Sequence, residues 1–176
     1  MYELFILGQL LANPKSGYQI RAHLQNTLGL HRQISYGVLY PLLDKMQRAD
    51  YIGIKEQGIH SKKVYEILPV GRKQFQQLME QPIPENAHTE DLFMIKLDVM
   101  QYVSPSRQLA LLDEYQAEQH QIVNDINIKM HALLNDSHRG HRYAYKLLEL
   151  RLARANTTLK WIQVYQEDIN GNVQPE

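Results

Sequence analysis

A helix stop and a helix start lie within six residues of each other near the N-terminus, and this pairing most constrains the fold. Leu4, Leu7, Leu10 and Leu11 make an apolar stripe over about Tyr2 to Leu11. Asn13-Pro14 ends it, because proline disfavours a helical residue before it and has no amide to extend the ladder. Ser16-Gly17-Tyr18-Gln19 then reads as a capping box, in which the serine hydroxyl accepts from the N3 amide while the glutamine reaches back. The second helix runs to about Leu28, with Ile20 and Leu24 inward and Arg21, His23 and Gln25 outward. Gly29 stops it.

A third short helix follows at Ser35–Ala49. Val38, Leu39, Leu42, Leu43 and Met46 recur at helical spacing and predict one buried stripe. Ser35, Tyr36 and Tyr40 lie near its start and can leave that stripe, with Arg32 and Gln33 before it and Lys45 and Arg48 at its end. Gly37 weakens this helix by about 1 kcal/mol relative to alanine, and Pro41 can kink it. Alternation of Ile52 and Ile54, then of Tyr65 and Ile67, predicts a two-stranded hairpin with its tip at about Gln57 to Lys62. A hairpin directly after three short helices is a wing. Val70 to Met79 is a fourth helix, with Phe75, Leu78 and Met79 inward. Gln81-Pro-Ile-Pro-Glu85 breaks the helix twice and marks a domain boundary.

Beyond the boundary the chain is helical. Thr89 caps a helix with Glu90 and Asp91 in its first turn, running to about Tyr102. Ser104-Pro105 starts another, with proline at the first helical position. Leu112, Tyr115, Gln119, Ile122, Ile126, Met130 and Leu133 recur along it every three or four residues. After an interruption at Asn135 to Gly140, Leu148, Leu152, Ala155, Leu159, Ile162 and Ile169 repeat the pattern. Two long amphipathic helices must bury their stripes against each other and against a second chain. The predicted organisation is a winged helical domain over 1–81, a linker over 82–88, a helical dimerisation domain over 89–170 and a tail over 171–176.

Charge supports this division. Residues 1–82 hold ten Lys/Arg against six Asp/Glu, about +4, and residues 83–176 hold nine against thirteen, about −4. There is no cysteine, hence no disulfide framework, thiol nucleophile or thiolate metal site. That fits a reducing cytosol, and cytoplasmic placement is the expectation. The apolar run from Leu4 to Ala12 lacks a preceding basic segment and is too short to span a bilayer, so it is read as a core helix with no membrane role. No phosphate loop, nucleophile elbow or paired metal motif is present, and Asp44 and Asp50 read as surface acids, so no enzyme and no cofactor are expected. His138-Arg-Gly-His141 with His131 lacks a carboxylate or thiolate complement and is not read as a metal site.

The residues that suit DNA are Ser35, Tyr36 and Tyr40 on the third helix, the last of which can alternatively be core. Tyr18 stands at the start of the second helix, where it either contacts a phosphate or packs inward. His60, Ser61, Lys62 and Lys63 at the wing tip suit flanking phosphates, as does Arg32. Aromatic residues of the second domain, Phe93, Tyr143, Tyr145, Trp161 and Tyr165, form either core or a pocket. With His141 they are the candidate effector contacts, chiefly Phe93, His141, Tyr143 and Trp161.

Leu4-Phe-Ile-Leu-Gly8, Ser16-Gly17-Tyr18, Ser35 with Val38-Leu-Tyr-Pro-Leu42, and Gly58, Lys63 and Tyr65 occur in an order and spacing that resembles the PadR family of bacterial transcription regulators. Gln81-Pro82, Glu90-Asp-Leu-Phe-Met-Ile-Lys96 and Trp161-Ile162 look like its longer subfamily, which includes phenolic-acid-responsive repressors and a virulence activator. The chain departs from many members in having Leu30 and His31 where a tryptophan precedes the third helix. The resemblance implies a mainly α protein: a winged helix-turn-helix domain with a helical C-terminal dimerisation arm. It implies a homodimer on a palindromic operator in double-stranded DNA, repressing a nearby gene and released by a small phenolic or other aromatic effector. The competing expectations are an activator on the same fold and a helical interaction protein that binds no DNA.

Overall fold

The computed structural model describes residues 1–29, 31–32, 34–58, 62–135 and 141–172. Helices α1 (Tyr2–Ala12), α2 (Gly17–Leu28) and α3 (Tyr36–Arg48) are followed by the hairpin β2 (Ile52–Gly58) and β3 (Lys62–Ile67), with a short strand β1 (Lys15–Ser16) between α1 and α2. Then come α4 (Pro69–Glu80), α5 (Thr89–Val99), a 3₁₀ turn at Met100–Tyr102, α6 (Pro105–Asn135) and α7 (Arg142–Asn172). The chain divides into two compact units, Met1–Ser104 and Pro105–Glu176.

In the first unit α1 is central and packs against α2, α4, α5 and β3. Its four consecutive residues Leu4, Phe5, Ile6 and Leu7 are all buried, so the helix is apolar around most of its circumference rather than along one stripe. Burying each such side chain contributes about 1.5–3 kcal/mol. The capping box forms as the sequence predicts: the Ser16 hydroxyl accepts from the Gln19 amide at 3.4 Å, and the Ser16 amide donates to Gln19 Oε1 at 2.8 Å. The preceding Lys15 is buried, and its ammonium donates to the Gln9 carbonyl at 2.9 Å and to the Asn13 side chain at 2.5 Å. A cation at the carbonyl end of α1 complements the helix dipole. Its burial lowers the ammonium pKa.

The sheet has the order β1-β3-β2 and is antiparallel throughout, with Ile52 opposite Ile67, Ile54 opposite Tyr65, and Lys15 opposite Tyr65 on the other side. A bulge between Ile54 and Glu56 bends β2. Strand β1 is absent from the hydrophobic pattern; two residues of turn backbone complete the edge of β3 and pin the start of α2 to the wing.

The segment after Gln81 leads into α5. Helix α5 packs on α1 and α2 and belongs to the first unit, which ends at Ser104. Phe93, Ile95, Lys96 and Val99 are buried on it. The Lys96 ammonium donates to the Met79 carbonyl at 2.9 Å and to the Gln81 carbonyl at 2.5 Å, closing the C-terminus of α4. Gly8 lets α5 approach α1: a Cβ there would lie 2.3 Å from Val99 Cγ1. Thr89 is the first residue of α5 rather than its cap, which is His88, and its hydroxyl instead accepts from the Asn86 amide at 2.8 Å.

The second unit is a hairpin of α6 and α7. Leu112, Tyr115, Gln119 and Ile126 of α6 are buried, as are Leu148, Ala155, Ile162 and Ile169 of α7. Gln166 donates to Asp113 at 2.7 Å, joining the late part of α7 to the early part of α6 and fixing them as antiparallel.

Candidate nucleic-acid interface

Helix α3 has two unlike faces. Leu39, Leu43 and Met46 are buried at spacings of four and three, while Tyr36, Val38 and Tyr40 are 41%, 51% and 44% exposed. Val38 therefore leaves the expected buried stripe and stands on the outer face, and Leu42 is only half-buried. Pro41 sits inside the helix without ending it. Its missing amide removes only one hydrogen bond, to the Gly37 carbonyl one turn earlier. Ser35 is the N-cap residue and exposed, and its hydroxyl makes no capping bond.

The outer face is ordered by contacts that reach back to α2. Tyr36 and Tyr40 stack with ring centroids 5.8 Å apart and planes 25° from parallel. The Arg21 guanidinium lies 4.6 Å from the Tyr36 ring centroid, and Arg21 Nε donates to the Ile34 carbonyl at 2.9 Å. At the other end, the Tyr40 ring backs onto Gly17, where a Cβ would meet Tyr40 Cε1 at 3.1 Å. Beside the stack lies an open cleft of about 310 Å³ lined by Ser16, Gly17, Tyr18, Tyr40, Asp44, Lys63 and Tyr65. Burial raises the Tyr65 phenol pKa, and the nearby Asp44 and Tyr40 add to the rise. Tyr65 is thus a neutral floor, while Tyr18, 63% exposed, and Lys63 form the rim.

Tyr18, Ser35, Tyr36, Tyr40 and Lys63 are accordingly placed around the start of α2, the first half of α3 and the wing. His60 and Ser61 lie outside the described residues; Lys62 is described in its backbone alone, as the β3 residue opposite Gly58. Arg32 is held at 3.0 Å by Asp91 in the first turn of α5, with His88 3.8 Å from the same carboxylate. Its own side chain stays 56% exposed. Sequence reasoning missed one member of this cluster, Arg21, which reads as one of several outward residues of α2, and it placed Val38 in the buried stripe although that residue is exposed.

The effector candidates are not brought together within either unit. Phe93 is buried in the first unit. His141 precedes α7, Tyr143 stands in its first turn at 82% exposure, and Trp161 lies midway, 46% exposed. Tyr143 and Trp161 are eighteen residues apart on one helix, about 27 Å. A single small ligand cannot span that distance on one chain. Among the described residues no group of His, Cys, Asp and Glu could hold a metal ion. No helix there is long and apolar enough to cross a membrane.

Three short helices with a capped tight turn, an exposed polar and aromatic start to the third, and a following β-hairpin define a winged helix-turn-helix fold. Residues 6–77 match the model described as the Transcriptional regulator PadR-like family. Over these residues the winged unit is thus similar to the PadR-like family of transcriptional regulators. Among solved structures, the chain is similar to Bacillus subtilis PadR in complex with operator DNA, with 23% identity, 95% of this chain and 96% of that chain covered, and a TM-score of 0.44. It is similar also to the same protein in complex with p-coumaric acid, at 22% identity, 96% and 98% coverage and a TM-score of 0.42. The Vibrio cholerae virulence activator AphA matches at 20% identity, 97% and 99% coverage and a TM-score of 0.42. Comparison with curated protein sequences gives no significant match.

Proposed function

We propose that this chain is a homodimeric repressor that sets α3 of each subunit in a DNA major groove and is released by a small aromatic effector. The observation that carries the DNA reading is the exposed, stacked Tyr36–Tyr40 pair at the start of α3, with Ser35 exposed at the N-cap and Val38 exposed on the other flank of the helix. Tyrosine and serine hydroxyls hydrogen-bond phosphates or base edges, and Val38 offers apolar contact to a thymine methyl. Lys63 and Tyr18 beside them, with His60, Ser61 and Lys62 at the wing, take flanking phosphates. Arg32 contributes where Asp91 releases it. The role is binding, with no catalytic step.

Support for the dimer comes from α7. Opposite the face that α6 covers, it carries a second seam of Tyr143, Leu147, Leu150, Arg154, Thr157, Trp161 and Val164, at alternating spacings of four and three. Five of the seven are apolar or aromatic, and those five are exposed in the single chain. This is the spacing of a coiled-coil seam, and the occupant that fits it is a second copy. A two-fold dimer reads a palindrome with half-sites about one helical turn, or a multiple of it, apart. The tilted Trp161–Tyr165 ring pair, with centroids 5.3 Å apart, lies along that seam and suits a flat aromatic ligand. Such a ligand releases DNA only if it binds the free arrangement more tightly than the bound one. Repression is the output implied by resemblance to the PadR family.

Selection of binding sites from a random duplex library at physiological salt tests the reading. The expected result is an enriched inverted repeat bound by two chains, weakened by phenolic acids. No enrichment over random duplex overturns DNA recognition, and a bound single chain overturns the dimer. A reporter that falls when the gene is deleted makes the protein an activator.

A further inference from the structure

We propose that Arg21 is a positioning residue for base readout, holding the Tyr36 ring in one orientation before DNA arrives. The inference rests on the reading that α3 enters the groove. Arg21 is on α2 and Tyr36 opens α3, so the contact couples the two helices of the helix-turn-helix through side chains rather than through the turn. The geometry divides the guanidinium between two tasks. Nε is committed to the Ile34 carbonyl at 2.9 Å, one residue before the α3 N-cap. The planar group then covers Tyr36 at 4.6 Å, Tyr36 stacks on Tyr40, and Tyr40 closes against Gly17. The stack begins and ends on α2, so neither tyrosine can swing without displacing the other. A half-exposed tyrosine at a helix start otherwise samples several rotamers, each presenting its hydroxyl elsewhere. Fixing it removes that ordering cost from binding.

Lysine cannot substitute. Its ammonium is a compact point charge without a planar face, and it cannot both donate along a fixed fork and lie over a ring. Arg21→Lys therefore keeps the charge and loses the positioning, whereas Arg21→Met loses both.

The experiment uses a duplex that the wild-type protein itself selects from a random library, compared with random duplex, for the full chain and its variants. Arg21→Lys should lower the ratio of selected to random affinity about tenfold, in line with a cation–π contact in a partly desolvated site. Its random-duplex affinity and salt slope should stay as in wild type. Tyr36→Ala should lower the same ratio, and adding Arg21→Lys to it should lower it no further. Gly17→Ala, which presses on Tyr40 from the far end, should reproduce the loss with the charge intact. Retained selectivity in Arg21→Lys, with Arg21→Met lowering the salt slope by about one unit on every duplex, makes Arg21 a phosphate contact and overturns the proposal. A second readout needs no DNA: fluorotyrosine placed at position 36 should give one shifted resonance in wild type that moves to the solvent-exposed value in Arg21→Met. An unshifted resonance in both overturns the proposal independently of whether any duplex is selected.

Discussion

The two units of the molecule solve the problem of burial in opposite ways. The winged unit closes on itself: α1 is enclosed by three helices and a strand, and Phe5, Leu7, Leu39, Leu43 and Phe75 have almost no exposed surface. The large apolar side chains that it leaves outside are few, and most lie at the starts of α2 and α3: Tyr18, Tyr36, Val38 and Tyr40, with Val70 on α4. The α6–α7 hairpin has only two helices, so each can cover one face of the other. It leaves Ile128, Leu134, Tyr143, Leu147, Leu150, Trp161 and Val164 exposed. Single exposed apolar residues are ordinary; a row of them at heptad spacing marks an interface. One unit buries its apolar surface within a single chain, and the other leaves a row of it that the proposed dimer would cover.

The sharpest way to break that contrast is to charge the outer seam. Leu150 is 48% exposed, so Leu150→Glu should scarcely change the fold of one chain. In a dimer it buries a carboxylate at the seam, and the loss should be about 2–4 kcal/mol, the cost typical of a central interface residue. Light scattering should then show a monomer at concentrations where the wild type is a dimer, and affinity for a full inverted repeat should fall to that for a half-site. A Leu150→Glu chain that still dimerises removes the seam from the interface.

A glycine swap in each unit measures how closely each is packed. At Gly71 in α4 an added Cβ would sit 2.0 Å from the Tyr51 carbonyl oxygen, which is backbone and cannot move aside alone. Gly71→Ala should cost roughly 2–3 kcal/mol by overpacking. At Gly171 near the end of α7 nothing lies within 4 Å, and Gly171→Ala should be neutral or stabilising by up to about 1 kcal/mol through helix propensity. Denaturant titration of the two variants should separate them clearly; equal effects would mean that the hairpin is as tightly packed as the winged unit.

On the polar side, Lys63 tests what the winged unit meets. It is exposed on the rim of the cleft, and Lys63→Ala should weaken every duplex by a similar factor and lower the salt slope by about one unit. A change confined to one sequence would move Lys63 from backbone grip to base readout.

Local chemistry was legible in the sequence, and contacts between distant elements were not. The stop at Asn13-Pro14, the Ser16–Gln19 capping box and the start at Pro105 depend on residues within a turn of each other, and they stand where the pattern places them. The inner stripes of α6 and α7 were also visible, because helical spacing fixes which residues share a face. The outer seam of α7 was overlooked because it runs through Arg154 and Thr157 and competes with a stronger stripe on the other side. Strand β1 has only two residues, too few to show alternation, and exists because β3 has an open edge beside it. The place of α5 in the first unit depends on Gly8 and on Lys96 reaching the end of α4, neither of which carries a periodic signal. At the proposed DNA face, the sequence places Tyr36 and Tyr40 near the start of α3, where they are exposed. The contact of Arg21 was not legible, since its partner Tyr36 is fifteen residues away and only the tertiary turn brings them together.

The smallest effect is expected where a surface acid turned out to have a backbone task. Asp50 follows the C-cap of α3 with φ 55°, the one positive-φ residue other than glycine among those described. Its amide donates to the Gln47 carbonyl at 3.1 Å, and the Tyr51 amide donates to the Met46 carbonyl at 3.0 Å. These are the two bonds of a Schellman motif with aspartate where glycine is usual. The motif turns the chain from α3 into β2, and so sets the wing beside the helix. Aspartate tolerates this conformation better than most residues, but it also places a carboxylate at the negative end of the helix dipole. Asp50→Asn keeps the backbone preference and removes the charge, and should stabilise by about 0.3–0.5 kcal/mol at low salt. Asp50→Gly removes the left-handed cost as well but frees the unfolded chain, which costs about 0.4–1 kcal/mol, so its net gain should be no larger. Thermal melts at low and high salt separate the two contributions: the asparagine gain should fade with salt, because only the dipole term is screened. A loss of stability in both variants would show that the Asp50 carboxylate makes a favourable contact that outweighs its place at the helix end.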